Sequence, residues 1–468
     1  MPFIRTSFLF LFFPLFLILY YIVPIRFKNL VLVIGSLLIS LWFDPAFFLI
    51  QINLSIVTYI FGYLLSSKGT IQHIRKTIFI SSVVISVGVL LYFYIGQHIL
   101  TLLETVFSVS NTTQILTPLG IAYYVLSCIS YLIDVYYGRA QRQESLIDYL
   151  AYIVMFPKLY AGPVVAYANI AGQLQNRKIS PKNAFAGVCV FIRGFAKKLL
   201  LADTVYSLYT DVLSQGFDNI PMATAWLAAL SFLLALYFDF SGYSDMAIGI
   251  GKMLGFSFPV NFRKPLISKS VTEFFTRWNI SLFHWFRTYL HIPGNMGRDN
   301  KRLWIVNVLL IAVAIAIWHG IKLNFFLAAL YFTIIIILEQ TVLLHTRKKC
   351  PHFIRTIITF LLILIGSILA SQTTPLSLGT YILALLGLNG QPCYNNTTLY
   401  YLSAYIIPFI ICYLCMGNFF YKRIHRIKKS HPKLYTYAHP ICLSVLFIMS
   451  IAFLVATPAH DFLCIIGS

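Results

Sequence analysis

The chain has 468 residues, of which 59% are hydrophobic and only 10% charged, and its mean hydropathy is +0.81. A soluble domain carries about 25% charged residues, so this composition excludes a soluble enzyme, a disordered chain and a disulfide scaffold and leaves a polytopic membrane protein. Lys and Arg number 35 against 14 Asp and Glu, a formal net charge of +21. That bias reads first as the basic cytoplasmic loops of a membrane protein, and second as a face attractive to anions such as lipid headgroups or a phosphorylated cofactor. The basic residues are scattered over short loops, which argues against nucleic acid as a partner.

Apolar runs that suit a bilayer crossing fall at 4–23, 30–44, 46–66, 77–95, 115–137, 183–201, 222–239, 303–320, 321–343, 353–373, 399–421 and 438–458. The first lacks a small-residue cleavage site and reads as a retained span, not a leader. Three further segments, 146–170, 240–262 and 376–390, are apolar but broken by Gly or Pro and read as re-entrant or interfacial pieces. Loops with Lys and Arg, at 26–28, 68–76, 139–142, 177–182, 252–302, 347–355 and 422–433, alternate with loops that have none, at 96–114, 203–220 and 374–398. That alternation puts the N-terminus outside and residue 26 inside. The expectation is an all-α polytopic membrane protein of about 11–12 transmembrane helices, with residues 1–468 forming a single integral membrane domain. Of the eight cysteines, Cys412 and Cys415 form a CxxC, but it lies in an apolar run with no companion ligands. It reads as packing, and no metal site is expected.

The densest polar cluster runs from Tyr237 to Met246 and holds Asp239, Tyr243 and Asp245 among aromatics. Acids at membrane depth are costly and face a cavity or a partner; a polar loop at the surface is the alternative. Next, Val271 to Arg287 reads as one amphipathic helix, with Ser270 as N-cap and Glu273 completing a capping box. Glu273, Arg277, Ser281 and His284 share its polar face, with Phe274, Trp278 and Trp285 on the other. Within it, Asn279 can orient a carbonyl or an imidazole, or be a satisfied interfacial amide. Last, Trp318-His319-Gly320 ends an uncharged run between Arg302 and Lys322. His319 has the chemistry of a general base for a hydroxyl or thiol proton; a structural histidine is the other reading. No nucleophile elbow, P-loop or HExxH occurs.

At these residues the chain resembles the membrane-bound O-acyltransferases, in the bacterial branch that holds the alginate O-acetylation membrane protein and the peptidoglycan O-acetyltransferase. The likeness rests on Pro118–Ala122, Tyr131–Tyr136, Phe156–Pro163, Tyr237–Ala247, Asn261-Phe262, Arg277–Leu282, Trp285–Arg287 and Trp318–Gly320, in an order and spacing that fit over about residues 1 to 390, with the motif core at about 115–345. The resemblance implies tilted helices around a funnel and His319 as the catalytic histidine. It implies Asn279 in an orienting role at the second motif position, where this branch is expected to carry His. Asp239, Tyr243, Asp245, Arg277, Trp278, Ser281 and Trp318 are the implied substrate-binding residues. No bound cofactor is implied: acetyl-coenzyme A is the acyl donor, and an envelope polysaccharide (peptidoglycan, or an exopolysaccharide such as alginate) is the acceptor. Transfer is direct or relayed by an extracytoplasmic SGNH-type transferase, in a bacterial cytoplasmic membrane whose lipids surround the chain. D-alanyl transfer to teichoic acid and lipid acylation stay open within the family; outside it, a transporter does.

Overall fold

The computed structural model describes residues 2–67, 71–107, 115–290, 301–342, 350–372, 374–417 and 419–457. The expected loops at 68–76, 96–114, 252–302 and 347–355 lie partly, and the tail from residue 458 wholly, outside the described residues. Every regular element among the described residues is helical. Nine of these helices are long and apolar enough to cross a membrane, and three shorter ones, Phe8–Ile22, Ile121–Tyr136 and Pro375–Leu386, are apolar. The chain is a multi-pass membrane protein, divided into two compact units.

The first unit comprises Met1–Phe191 and Met246–Pro259. It holds α1 (Phe13–Ile22), α2 (Lys28–Phe43), α3 (Pro45–Ser66), α4 (Gln72–Phe107) and α5 (Ile121–Tyr136). Pro45 opens α3 where its missing N–H costs nothing, and the Asp44 carboxylate accepts from the Phe47 N–H at 2.9 Å. The 96–114 segment expected as a loop is helical as far as Phe107, because its apolar residues keep a helical period past Gly96. Residues 146–170 are broken as expected, into α6 (Leu146–Ile153), α7 (Phe156–Leu159) and the start of α8 (Tyr167–Gln175). The residues of α6 and α7 are mostly buried, so this irregular backbone is enclosed by protein. Arg75 donates to the carbonyls of Leu65 at 3.0 Å and Tyr136 at 2.7 Å. The basic segments 68–76 and 139–142 therefore share one end of the helices, as their charge requires.

The second unit comprises Ile192–Asp245 and Val260–Leu463. Helix α9 (Pro181–Ala196) widens into a π-helical stretch, Lys197–Asp203, before α10 (Thr204–Gln215). Helix α11 runs unbroken from Met222 to Met253, so the expected break after residue 239 is absent. Its glycines admit neighbours instead of ending it. A Cβ on Gly242 would stand 2.7 Å from the Gly194 carbonyl oxygen, and one on Gly249 would stand 2.7 Å from that of Gly187. Then follow α12 (Val271–Phe275), α13 (Ile280–Tyr289), α14 (Lys301–Trp318), α15 (Leu323–Thr341), α16 (His352–Ser371), α17 (Pro375–Leu386), α18 (Asn396–Met416), α19 (Phe419–Ser430) and α20 (Pro432–Ala456).

Candidate active site

The single amphipathic helix expected over 271–287 is two helices. Asn279 takes the left-handed conformation, φ 42°, ψ 50°, between α12 and α13. Asn is one of the few side chains that tolerates this backbone, so the break is written into the residue itself. Ser270 caps α12 as expected, accepting from the Glu273 N–H at 2.9 Å. The Glu273 carboxylate does not close a capping box: it accepts from the Lys269 N–H at 2.7 Å and from Arg277 at 2.5 Å. The Glu273–Arg277 pair is about one-third exposed, so it contributes little to stability.

Two clamps fix this broken helix. From one side, the Asn261 carbonyl accepts from the Ile280 N–H at 2.9 Å, and its Oδ1 accepts from the Ser281 N–H at 3.1 Å and hydroxyl at 2.8 Å. The Arg277 carbonyl accepts from the Arg263 N–H at 2.9 Å. From the other side, the buried Glu339 carboxylate of α15 accepts from the N–H groups of Val271 and Thr272, each at 2.9 Å, and from the Thr272 hydroxyl at 2.8 Å. The sequence reading missed Glu339. The available signal was an acid near the end of an apolar span. Glu339→Ala leaves buried donors without an acceptor, at a cost of about 1–3 kcal/mol. Its melting temperature should fall below that of the wild type; an unchanged melting curve would show that the clamp is not formed.

Trp278 lies in the turn between α12 and α13. Its ring centroid is 5.1 Å from Phe262, 5.3 Å from Phe274 and 6.3 Å from both Tyr237 and Phe240. The Tyr237 cluster and the Trp278 turn, 40 residues apart in sequence, are thus packed together. In the same cluster Asp239 and Asp245 have protein partners. Lys198 lies 2.5 Å from Asp239 and 2.7 Å from Asp203, all buried, and Lys197 lies 2.6 Å from Asp245 at about one-third exposure. Both lysines open the π-helical stretch. Tyr243 is buried on α11.

His319 sits at the bend between α14 and α15. Its N–H closes the last turn of α14 on Ile315 at 3.1 Å, and Gly320, at φ +111°, reverses the chain. The imidazole stacks on Phe325 at 5.1 Å and meets the edge of Trp318 at 4.7 Å. No described residue hydrogen-bonds it. Helix α13 packs on α14 and α12 on α15, with Phe275 5.1 Å from Phe332. The turn bearing Asn279 and the bend bearing His319 therefore belong to one helical group. Asn279 is 3% exposed, and its Oδ1 accepts from no described residue.

The model of the MBOAT, membrane-bound O-acyltransferase family, matches residues 87–378, which include all of these groups. The chain belongs to the membrane-bound O-acyltransferase family. It is therefore an acyltransferase, and the transporter reading falls away. Similar family members include a probable alginate O-acetylase of Pseudomonas aeruginosa, 36% identical over 78% of this chain and 71% of its own. A peptidoglycan O-acetyltransferase of Helicobacter pylori is 27% identical over 82% of this chain and 79% of its own. A teichoic acid D-alanyltransferase of Bacillus subtilis is 25% identical over 47% of this chain and 58% of its own. Within this acyltransferase, the resemblance carried by Trp318-His319-Gly320 and the Tyr237 cluster lies inside the matched span.

Proposed function

We propose that this acyltransferase moves an acetyl group from cytoplasmic acetyl-coenzyme A to a hydroxyl of an envelope polysaccharide, in the cytoplasmic membrane of a bacterium. The observation that carries the reading is the extent of the match to relatives named as O-acetylases, over 78% and 82% of the chain. The D-alanyltransferase match covers 47%, so acetyl is preferred over D-alanyl. His319 takes the acceptor hydroxyl proton, the oxygen attacks the thioester carbonyl, the carbon–sulfur bond breaks, and the departing thiolate receives a proton from the imidazolium. Asn279, held at the break between α12 and α13 with its Oδ1 buried and without a described donor, orients the acyl carbonyl or the imidazole when substrate is bound. The segment 252–302, with nine Lys or Arg, supplies cations for the donor's phosphates. The acetyl group reaches the glycan directly or through an extracytoplasmic SGNH-type transferase.

Mass spectrometry of envelope glycans from a deletion strain tests this. O-acetyl esters should disappear, return with the wild-type chain and stay absent with His319→Ala. Unchanged O-acetylation, with D-alanine esters lost instead, would sink the acetyl reading.

A further inference from the structure

We propose that α19, Phe419–Ser430, is a docking surface for the anionic phospholipid headgroups of the membrane face on which it lies. This helix connects two candidate spans, Asn396–Met416 and Pro432–Ala456, so it sits where both leave the bilayer. It lies beyond the residues matched by the family model, and the chemistry proposed for His319 does not use it.

At 100° per residue, Lys422, His425, Arg426 and Lys429 occupy one side of α19, and Phe420, Ile424 and Ile427 the other, with Arg423 and Lys428 at the borders and Phe419 beside Arg426. The helix holds five Lys or Arg and no acid. All five cations are exposed, and so are Phe420 and Ile424 on the opposite side. A helix that leaves both faces uncovered by protein suits an interface, with its rings in the acyl boundary and its cations among the headgroups.

The positive field extends past the helix. Lys264, in the loop that follows α11, is held below the usual lysine range by burial and then by the Lys422 ammonium. A second chain segment therefore brings a cation beside Lys422, where anionic phosphate relieves their mutual repulsion. The helix carries an apolar side, Phe420 to Ile427, alongside its cations. A lipid layer matches both features, whereas a soluble phosphate compound would use only the charge.

The test is native mass spectrometry of the full-length chain in detergent, titrated with phosphatidylglycerol or phosphatidylcholine. Each cation near an anionic surface contributes on the order of fivefold. The wild type should retain phosphatidylglycerol in preference. The preference should fall by more than about tenfold in the variant Lys422→Gln/Arg426→Gln/Lys429→Gln and weaken with salt. The charge-keeping variant Lys422→Arg/Lys429→Arg should retain it. Equal retention of the two lipids by the wild type overturns the proposal, as does an undiminished preference in the triple variant. Lost coenzyme A affinity with lipid preference intact also overturns it, by assigning the cations to the donor. Because the readout needs no turnover, it stands apart from the reading of His319.

Discussion

Replacing His319 by Ala is expected to lower acyl transfer by about 10²–10⁴-fold, the contribution of a positioned general base, while the purified chain remains monodisperse. The imidazole packs on the rings of Phe325 and Trp318 but is hydrogen-bonded to no described residue. Its loss therefore removes ring contacts and leaves no buried partner stranded. The reversal of the chain depends on Gly320 at φ +111°, which the substitution leaves intact. His319→Gln fills most of the volume without supplying an imidazole nitrogen that can take a proton, so it should be as inactive as the Ala variant. A monodisperse His319→Ala chain that transfers acyl groups at the wild-type rate would refute the assignment.

Asn279 needs a different substitution, because it does two things at once. Its left-handed backbone costs an ordinary residue about 1–2 kcal/mol, so Asn279→Ala mixes strain with loss of the amide. Asn279→Gly separates them: glycine accepts φ 42° freely. That variant should melt close to the wild type and lose about tenfold to a hundredfold in rate, the worth of one hydrogen bond to a charged group. The loss should be smaller than for His319, because an amide moves no proton. His is also tolerated in the left-handed region, so Asn279→His should keep the turn and retain activity. Full activity in Asn279→Gly would reduce the residue to a conformational role.

Most of the helices were legible because a membrane span announces itself by composition over its own length. The runs at 46–66, 222–239, 303–320, 321–343 and 353–373 all fall within or largely upon helices of the structure. The failures share a cause: hydropathy and periodicity describe one segment at a time. Glycines 242 and 249 look like breakers until the opposing backbones of Gly194 and Gly187 are in view. The 271–287 helix has the right period on both sides of Asn279, so nothing in the period betrays a turn fixed by one residue's φ. Asp239 and Asp245 stood out as costly acids, yet their partners Lys198 and Lys197 lie 41 and 48 residues earlier in an ordinary-looking basic pair. Glu339 was passed over for the same reason, since its value lies in the N–H groups of Val271 and Thr272.

The order of those charges along the chain has a consequence for synthesis. Asp239 lies near the middle of α11, and a lone acid there raises the cost of inserting a span by about 2.5–3.5 kcal/mol. The ribosome releases Lys197 and Lys198 first, so the counter-charges precede the acids that need them. α11 thus reaches the insertion machinery as a segment whose acids have a defined destination, and its partitioning into lipid is coupled to that of the residues before it. Cells that make residues 1–203 and 204–468 as separate polypeptides would have to restore that encounter by diffusion within the bilayer.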